Sequence, residues 1–171
     1  LFALKKIEHQ YPHCWRCHKP VIFRATSQWF CSVDDFKDEA VKAAEDVKWF
    51  PEWGKDRLQS MVKERADWCI SRQRKWGVPI PVVYCQDCGK EIIDNDVMMK
   101  VSKIFGEEGS DAWFAHDTEY FLPKGFKCPH CGSDKGFDKE KDIMDVWFDS
   151  GSSHAAVCRK RGYLKVPADV Y

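Results

Sequence analysis

Two closely spaced cysteine pairs constrain this chain more than any other feature of its sequence. Cys85 and Cys88 form one Cys-x-x-Cys pair, Cys128 and Cys131 form another, and each pair is followed directly by a glycine. Each pair is short enough for both sulfurs to reach one cation, and two pairs supply the four soft ligands of a closed structural zinc site. The glycines stand where a tight turn needs a residue that tolerates positive φ. We therefore predict two knuckles that share one zinc ion.

Two other uses of these cysteines fit less well. A disulfide framework expects a small oxidised chain with a signal segment, whereas this chain has 171 residues and an odd number of cysteines, nine. A reducing, cytoplasmic location is expected instead. A thioredoxin-like redox pair opens a helix after a buried strand, but the residues around Cys85 and Cys88 have the pattern of a hairpin. Thiol oxidoreductase chemistry and vestigial pairs stay open as alternatives.

Composition limits the classes of partner. The 27 basic and 27 acidic residues cancel, so the chain has no overall charge that would attract nucleic acid or a membrane, and any polyanion contact must be local. No stretch approaches the roughly 20 apolar residues that cross a bilayer. Eight tryptophans are many for a domain of this size, and some should line a ligand site or face another protein segment. Because neither Leu1 nor Tyr171 resembles a natural terminus, we expect an internal piece of a longer protein.

The 39 residues between Cys88 and Cys128 are too many for a compact zinc ribbon and predict a folded insert. Asp94 is a good N-cap for a helix that ends near Gly106, and a second short helix is expected over residues 109–114. The apolar face of the first helix consists of Val97, Met98, Val101, Ile104 and Phe105.

The flanking regions predict further elements. One or two strands are expected over 21–30, and a helix should run from the caps at Ser32 or Asp34 to about Trp49. A second helix should bury a stripe of Leu58, Met61, Val62 and Ala66. A strand over 142–149 should lead into a helix over 153–161, and such strand-to-helix turns are where open α/β sheets hold ligands.

Two shorter motifs leave alternatives open. Arg72, Arg74 and Lys75 lie between two tryptophans, and they form either a solvated basic turn or a segment that faces phosphates. Cys14 and Cys17 form a third Cys-x-x-Cys pair, which supplies only half of a metal site.

Taken together, several stretches resemble class I aminoacyl-tRNA synthetases of the isoleucine, valine and leucine branch, and most closely the isoleucine-specific members. The stretches that carry the resemblance are 11–17, 24–30, 49–54, 67–81 and 145–154. The valine-specific members are similar around 67–72 but lack the run at 13–17 and the Asp-Ser-Gly that follows Trp147-Phe148. A valine-specific sister enzyme and a stand-alone zinc-ribbon module that binds RNA or protein remain the alternatives.

The resemblance implies a mixed α/β fold, namely part of a Rossmann-type catalytic domain with an inserted zinc-knuckle lobe that contains helices. It implies a position between the editing insertion and the part with the KMSKS motif. The expected divisions are 1–31, returning from the editing insertion; 32–81, a helical catalytic part; 82–141, the zinc insert; and 142–171, a strand and helix of the catalytic domain. Neither HIGH nor KMSKS occurs here. The piece is therefore expected to carry no catalytic residue and to be inactive alone.

The resemblance also assigns residues and partners. Cys85, Cys88, Cys128 and Cys131 match the family's zinc ligands, and Cys14 and Cys17 match half of a further zinc site. Trp147 and Asp149 fall in the amino-acid pocket, with Trp147 as an aromatic wall, while Arg72, Arg74 and Lys75 lie near the ATP phosphates or the tRNA acceptor end. The full enzyme would be a cytoplasmic monomer that uses isoleucine, ATP with Mg²⁺, and tRNA(Ile).

Overall fold

The computed structural model describes residues 2–170. Within that range it has seven short strands: β1 Phe30–Cys31, β2 Trp68–Cys69, β3 Ser71–Arg72, β4 Val83–Cys85, β5 Glu91–Ile92, β6 Phe137–Lys139 and β7 Ile143–Met144. It has six α-helices: α1 Lys37–Ala43, α2 Gly54–Lys63, α3 Asn95–Glu108, α4 Ala112–Ala115, α5 Thr118–Phe121 and α6 Val146–Gly151. Two 3₁₀ turns, Asp34–Phe36 and Ala44–Asp46, flank α1, and a π-helical turn covers His154–Cys158.

The strands form three small sheets, and every pairing between them in residues 2–170 is antiparallel. β5, β4 and β6 form a three-stranded sheet in that spatial order, β1 pairs with β2, and β3 pairs with β7. The mixture of helices and strands that the sequence predicts is confirmed. The Rossmann-type parallel sheet remains a prediction.

The main hydrophobic core lies between the three-stranded sheet and the helices of the predicted insert. Its members run from Val83 on β4 to Phe137 on β6. Trp113 and Phe121 are fully buried, with ring centroids 4.7 Å apart, and the Trp113 indole N–H donates to the carbonyl of Glu140 at 2.9 Å. Cys85 and Cys128 belong to the same core, so the cysteine pairs are fixed by packing as well as by their turns.

Helix α3 forms for the reason that the sequence indicates. The carboxylate of Asp94 accepts hydrogen bonds from the backbone N–H groups of Asp96 at 2.9 Å and Val97 at 3.0 Å, which satisfies two donors of the first turn. The helix passes through Gly106, where the prediction ended it, and stops at Gly109, whose φ is 86°. A glycine at positive φ is a common helix terminator, and Gly109 is the one that takes this conformation.

The helices before the insert are shorter than predicted. α1 has no side-chain N-cap, and helical structure ends at Asp46. α2 ends at Lys63, and the stripe expected to be buried on it is largely open, with Leu58 39% and Met61 57% exposed. The prediction of a buried stripe was wrong for these residues, which line a groove instead. Of the strands expected over 21–30, only Phe30 pairs in a sheet.

The prediction of a long strand over 142–149 was wrong. β7 covers only Ile143 and Met144, and the chain then turns into α6. Asp145 causes the change, because its carboxylate accepts a hydrogen bond from the N–H of Trp147 at 3.3 Å and caps the helix. Trp147 therefore lies in the first turn of a helix rather than at the end of a strand. The helix expected over 153–161 is replaced by the single π-helical turn.

Candidate metal centre and adjoining groove

The four cysteines of the two predicted knuckles converge at one point. Their Sγ atoms all lie within 4.8 Å of one another, and the Cys85–Cys131 and Cys88–Cys128 pairs are each separated by 3.7 Å. Four thiolates placed tetrahedrally around zinc at about 2.3 Å would have their sulfurs about 3.8 Å apart. The thiols of Cys85, Cys88, Cys128 and Cys131 are therefore close to the arrangement that a tetrahedral zinc ion requires. The prediction that the four cysteines converge is confirmed.

The two knuckles have the same backbone construction. In the first, the N–H of Gly89 donates to the carbonyl of Cys85 at 2.8 Å and the N–H of Cys85 donates to Lys90 at 3.0 Å. In the second, the N–H of Gly132 donates to the carbonyl of Cys128 and the N–H of Cys128 donates to the carbonyl of Ser133, both at 2.8 Å. Both glycines have positive φ, 68° and 76°, as the sequence predicts. This construction leaves the sulfurs free to point toward a shared ion.

The third cysteine pair has the same backbone construction as these knuckles. The N–H of His18 donates to the carbonyl of Cys14 at 2.7 Å, and the N–H of Cys14 donates to Lys19 at 2.8 Å. His18 takes the place of the glycine and has a φ of 57°. Cys17 is exposed, and this pair is not within reach of a third described ligand. Residues 14–17 thus share the backbone geometry of the knuckles, but they bring together only two thiols.

The pKa values of two thiols in the cluster, Cys128 and Cys131, are shifted in opposite directions. Burial opposes ionisation of Cys128, but the N–H groups of His130 and Cys131 outweigh it and lower the pKa of Cys128 to about 6. The N–H of Ser133 favours the Cys131 thiolate, but burial and the other sulfurs outweigh it and raise the pKa of Cys131 to about 12. A divalent ion displaces such protons and neutralises the repulsion between the thiolates.

A hydrogen-bonded cluster joins the metal centre to the N-terminal part of the chain. The carboxylate of Glu140 accepts from the Tyr84 hydroxyl at 2.5 Å and from the Trp29 indole N–H at 2.8 Å. Tyr84 precedes Cys85 on β4. The backbone N–H of Trp29 donates to the hydroxyl of Ser71 at 2.8 Å. The cluster therefore also contacts strand β3, which carries Arg72.

Next to Arg72 lies an apolar groove of about 700 Å³. Its walls come from the turn before α1, from α2, from β2 and from the start of α6. The lining residues are Val33, Phe36, Lys37, Leu58, Met61, Val62, Arg65, Trp68, Cys69, Arg72, Asp145 and Trp147. Trp147, which the sequence assigns to an amino-acid pocket, is 70% exposed and faces this space.

Asp145 organises the wall of the groove. It is buried, and one carboxylate oxygen accepts from the Trp68 indole N–H and from the Arg72 guanidinium, both at 3.0 Å. Arg72 also donates to the carbonyls of Cys69 at 2.8 Å and Ser71 at 2.7 Å. The Arg72 guanidinium is thus held by the protein itself, whereas the sequence left open a solvated basic turn or a segment that faces phosphates.

The other predicted site residues lie apart from the groove lining. Arg74 and Lys75 are exposed on the loop after β3, and Asp149 is half-buried on α6. Burial and the neighbouring Asp145 carboxylate raise the pKa of Asp149. The sequence reasoning missed Trp68 and Asp145 as groove residues. A tryptophan that packs inside a protein needs an acceptor for its indole N–H, and this requirement is the signal in the sequence that could have linked Trp68 to a carboxylate such as Asp145.

Comparison with known proteins agrees with the resemblance described above. The family model described as tRNA synthetases class I (I, L, M and V) matches residues 3–171. The chain belongs to this class I tRNA synthetase family. It is 60% identical over its whole length to the isoleucine-tRNA ligase of Caldicellulosiruptor bescii, and 60% identical to that of Carboxydothermus hydrogenoformans. It is 58% identical over 96% of its length to the isoleucine-tRNA ligase of Moorella thermoacetica.

These synthetases are much longer than the present chain. It spans about 18% of the length of the Caldicellulosiruptor and Moorella ligases and 19% of the Carboxydothermus ligase. Among residues 2–170, no helix combines the length and the apolar character needed to cross a bilayer.

Proposed function

We propose that this chain is the metal-bearing part of the catalytic region of an isoleucine-tRNA ligase, and that its groove receives the isoleucine side chain. The observation that carries the proposal is that Trp68 and Trp147 line one apolar groove, in a chain about 60% identical throughout to such ligases. Isoleucine is an apolar branched side chain, and rigid aromatic walls select such a ligand by size. One methylene supplies only about 1 to 3 kcal/mol of discrimination, which is why such enzymes edit elsewhere.

The groove residues would divide the work of binding. Trp147 and Trp68 would contact the side chain of the amino acid. Asp145 would position both rings, because it holds the Trp68 indole N–H and caps the helix that carries Trp147. Arg72 neutralises the Asp145 carboxylate, so this ion pair adds no net charge beside the groove. Asp149, Arg74 and Lys75 would act outside the groove, on the polar parts of the substrates.

The four-cysteine cluster would hold a structural zinc. All four positions of a tetrahedral ion are filled by thiolates, so no position remains for a reacting water. The ion would join the β4–β5 hairpin to the end of the helical insert. Cys14 and Cys17 would hold a second zinc together with two ligands from elsewhere in the parent protein. ATP with Mg²⁺ and tRNA(Ile) would be substrates of the whole enzyme.

The test uses the full-length protein that contains this chain. It should catalyse isoleucine-dependent exchange of pyrophosphate into ATP, and Trp147→Ala should lower kcat/KM for isoleucine by about tenfold or more, since it removes a wall of the pocket. Trp53→Ala is the matched control, because Trp53 is an exposed tryptophan outside the groove. Preferential exchange with valine would overturn the isoleucine assignment. An unchanged kcat/KM in Trp147→Ala would overturn the role of the groove.

A further inference from the structure

A short basic and aromatic loop, here called the basic tip, consists of Arg74, Lys75 and Trp76. All three residues are exposed, and the Trp76 side chain, at 92%, is almost entirely in solvent. The Arg74 guanidinium makes one hydrogen bond, to the backbone carbonyl of Gln73 at 3.2 Å. An indole and two cations are therefore presented together on one loop of a chain that has no net charge overall.

Both ends of the basic tip are anchored to the same neighbouring segment. Before it, the Gln73 amide donates to the Asp142 carboxylate at 2.6 Å. After it, Gly77 packs so closely on Ile143 that a Cβ on Gly77 would come 2.4 Å from the Ile143 Cδ1. The N–H of Met144 then donates to the carbonyl of Val78 at 2.7 Å. A loop held at both ends presents its side chains with less loss of entropy on binding than a free one.

The chemistry of the basic tip fits an unpaired nucleotide. An exposed indole can stack on any base, and adjacent cations neutralise the phosphates on either side. β3 leads directly from Arg72 in the groove wall to the basic tip, so a strand of RNA bound there would lie beside the amino-acid groove. Arg72 is less available for this contact than Arg74 and Lys75, because Asp145 and two carbonyls already hold its guanidinium.

We infer that Trp76 stacks on an unpaired nucleotide at the 3′ end of the RNA substrate, and that Arg74 and Lys75 contact its phosphates. The inference rests on the proposed function, since it takes the RNA to be the tRNA that receives the amino acid. It adds Trp76 to the binding residues and separates Arg74 and Lys75 from Arg72.

The test measures Kd of the full-length protein for tRNA(Ile) and for the same tRNA shortened by its unpaired 3′ nucleotides. Trp76→Ala should weaken binding of the complete tRNA by about 5- to 150-fold and leave binding of the shortened tRNA unaffected. Trp76→Phe should restore most of the loss because it keeps a stacking ring. The double variant Arg74→Gln with Lys75→Gln should reduce the slope of log K against log salt by about 1.4, for two contacts to a single strand.

Two controls match these variants. Trp53→Ala removes another exposed tryptophan, and Arg159→Gln with Lys160→Gln removes another exposed, adjacent pair of cations. Equal weakening of both RNAs by Trp76→Ala, or of neither, would overturn the inference. So would a lowered unfolding midpoint in Trp76→Ala, which would mean that the indole packs against another part of the enzyme. Loss of isoleucine-dependent exchange in the unaltered protein, with the tRNA effect of Trp76→Ala intact, would instead refute the proposed function alone.

Discussion

The guanidinium of Arg72 and the carboxylate of Asp145 form an ion pair with an N–O distance of 3.0 Å, and the two partners differ in exposure. The Asp145 side chain is 6% exposed, whereas that of Arg72 is 43% exposed. The carboxylate is therefore the partner that depends on the contact, because a buried charge without a counter-charge is costly. The pair joins β3, next to the basic tip, to the helix that carries Trp147.

Asp145→Ala should destabilise the protein by about 2 to 4 kcal/mol, because it removes a helix cap and leaves the Arg72 and Trp68 donors without their acceptor. Chemical denaturation of the zinc-loaded protein measures the change. Asp145→Asn should cost less, because its amide oxygen can still cap α6. The control Asp38→Ala, at an exposed position in the first turn of α1, should cost less than about 1 kcal/mol. Equal losses at the two positions would contradict the structural role of Asp145.

Cys128→Ser should lower bound zinc by one ion per chain and should loosen residues 82–141 more than residues 32–66. Only the former segment contains the four thiols, and the binding free energy of a structural zinc, about 10 to 16 kcal/mol in small peptides, contributes directly to folding. Metal analysis under reducing conditions and limited proteolysis measure the two effects. The control is Cys158→Ser, since Cys158 lies outside the cluster. Unchanged proteolysis of 82–141 would show that packing alone maintains the lobe.

Glu140 should contribute stability that disappears in acid. Burial works against its ionisation, but hydrogen bonds from Tyr84, Trp29 and the N–H groups of Asp142 and Lys141 outweigh it and hold the pKa of Glu140 below its usual value. Because the folded-state pKa is the lower one, the contribution is complete above the unfolded pKa of about 4.3 and is lost as the pH falls through the folded-state pKa.

The free energies of unfolding of the unaltered protein and of Glu140→Gln, measured from pH 7 down to pH 3, give this contribution as a difference. The difference should be constant above about pH 5 and should shrink below it. Glu119→Gln, on an exposed part of α5, is the matched control for the exchange of a glutamate for a glutamine. If the difference for Glu140→Gln grew in acid, the pKa of Glu140 would be raised on folding, which would contradict this prediction.

Two glycine substitutions should change the free energy of unfolding in opposite directions. Gly77→Ala should cost about 1 to 3 kcal/mol, because the new methyl group would overlap the buried Ile143 side chain. Gly106→Ala, inside α3 with no atom within 4 Å of the new Cβ, should stabilise by about 0.5 to 1 kcal/mol. Thermal unfolding of both variants checks the pair. Stabilisation by Gly77→Ala would mean that the loop before Val78 can move away from Ile143.

The sequence predicted correctly the turns and the helix cap that depend on a few neighbouring residues. The positive-φ glycines after the two knuckle pairs and the Asp94 cap of α3 follow from a few adjacent residues, and the structure confirms both. The convergence of the four thiols is also confirmed, but it was predicted from the four ligands that a zinc site requires, because the two pairs lie 39 residues apart. The helices predicted between the pairs are present as well, as α3, α4 and α5. For the glycine turns and the helix cap, the conformation is fixed by hydrogen bonds that lie within a few residues of the signal.

The features that the sequence did not predict depend on distant partners. Asp145 ends β7 and starts α6 while it also binds Trp68 and Arg72, which lie more than 70 residues earlier. The alternation of apolar and polar residues over 142–149 is typical of a strand, but the contacts of Asp145 end the strand at Met144. The stripe on α2 has helical spacing, but periodicity does not reveal whether a partner covers it. The roles of Asp149, Arg74, Lys75, Cys14 and Cys17 remain predictions.

Strand β4 pairs with β6 in a register that serves two contacts at once. Tyr84 is opposite Asp138 and Cys85 is opposite Phe137. Adjacent strand residues point to opposite faces, so Tyr84 reaches Glu140 while Cys85 reaches the other three sulfurs. A slip of one residue would exchange the phenol and the thiol, and would break both contacts at once. Zinc binding and the contact of Glu140 with Tyr84 and Trp29 therefore depend on the same strand register, so an error in pairing these two strands would cost the chain both its metal and part of its attachment to the N-terminal segment.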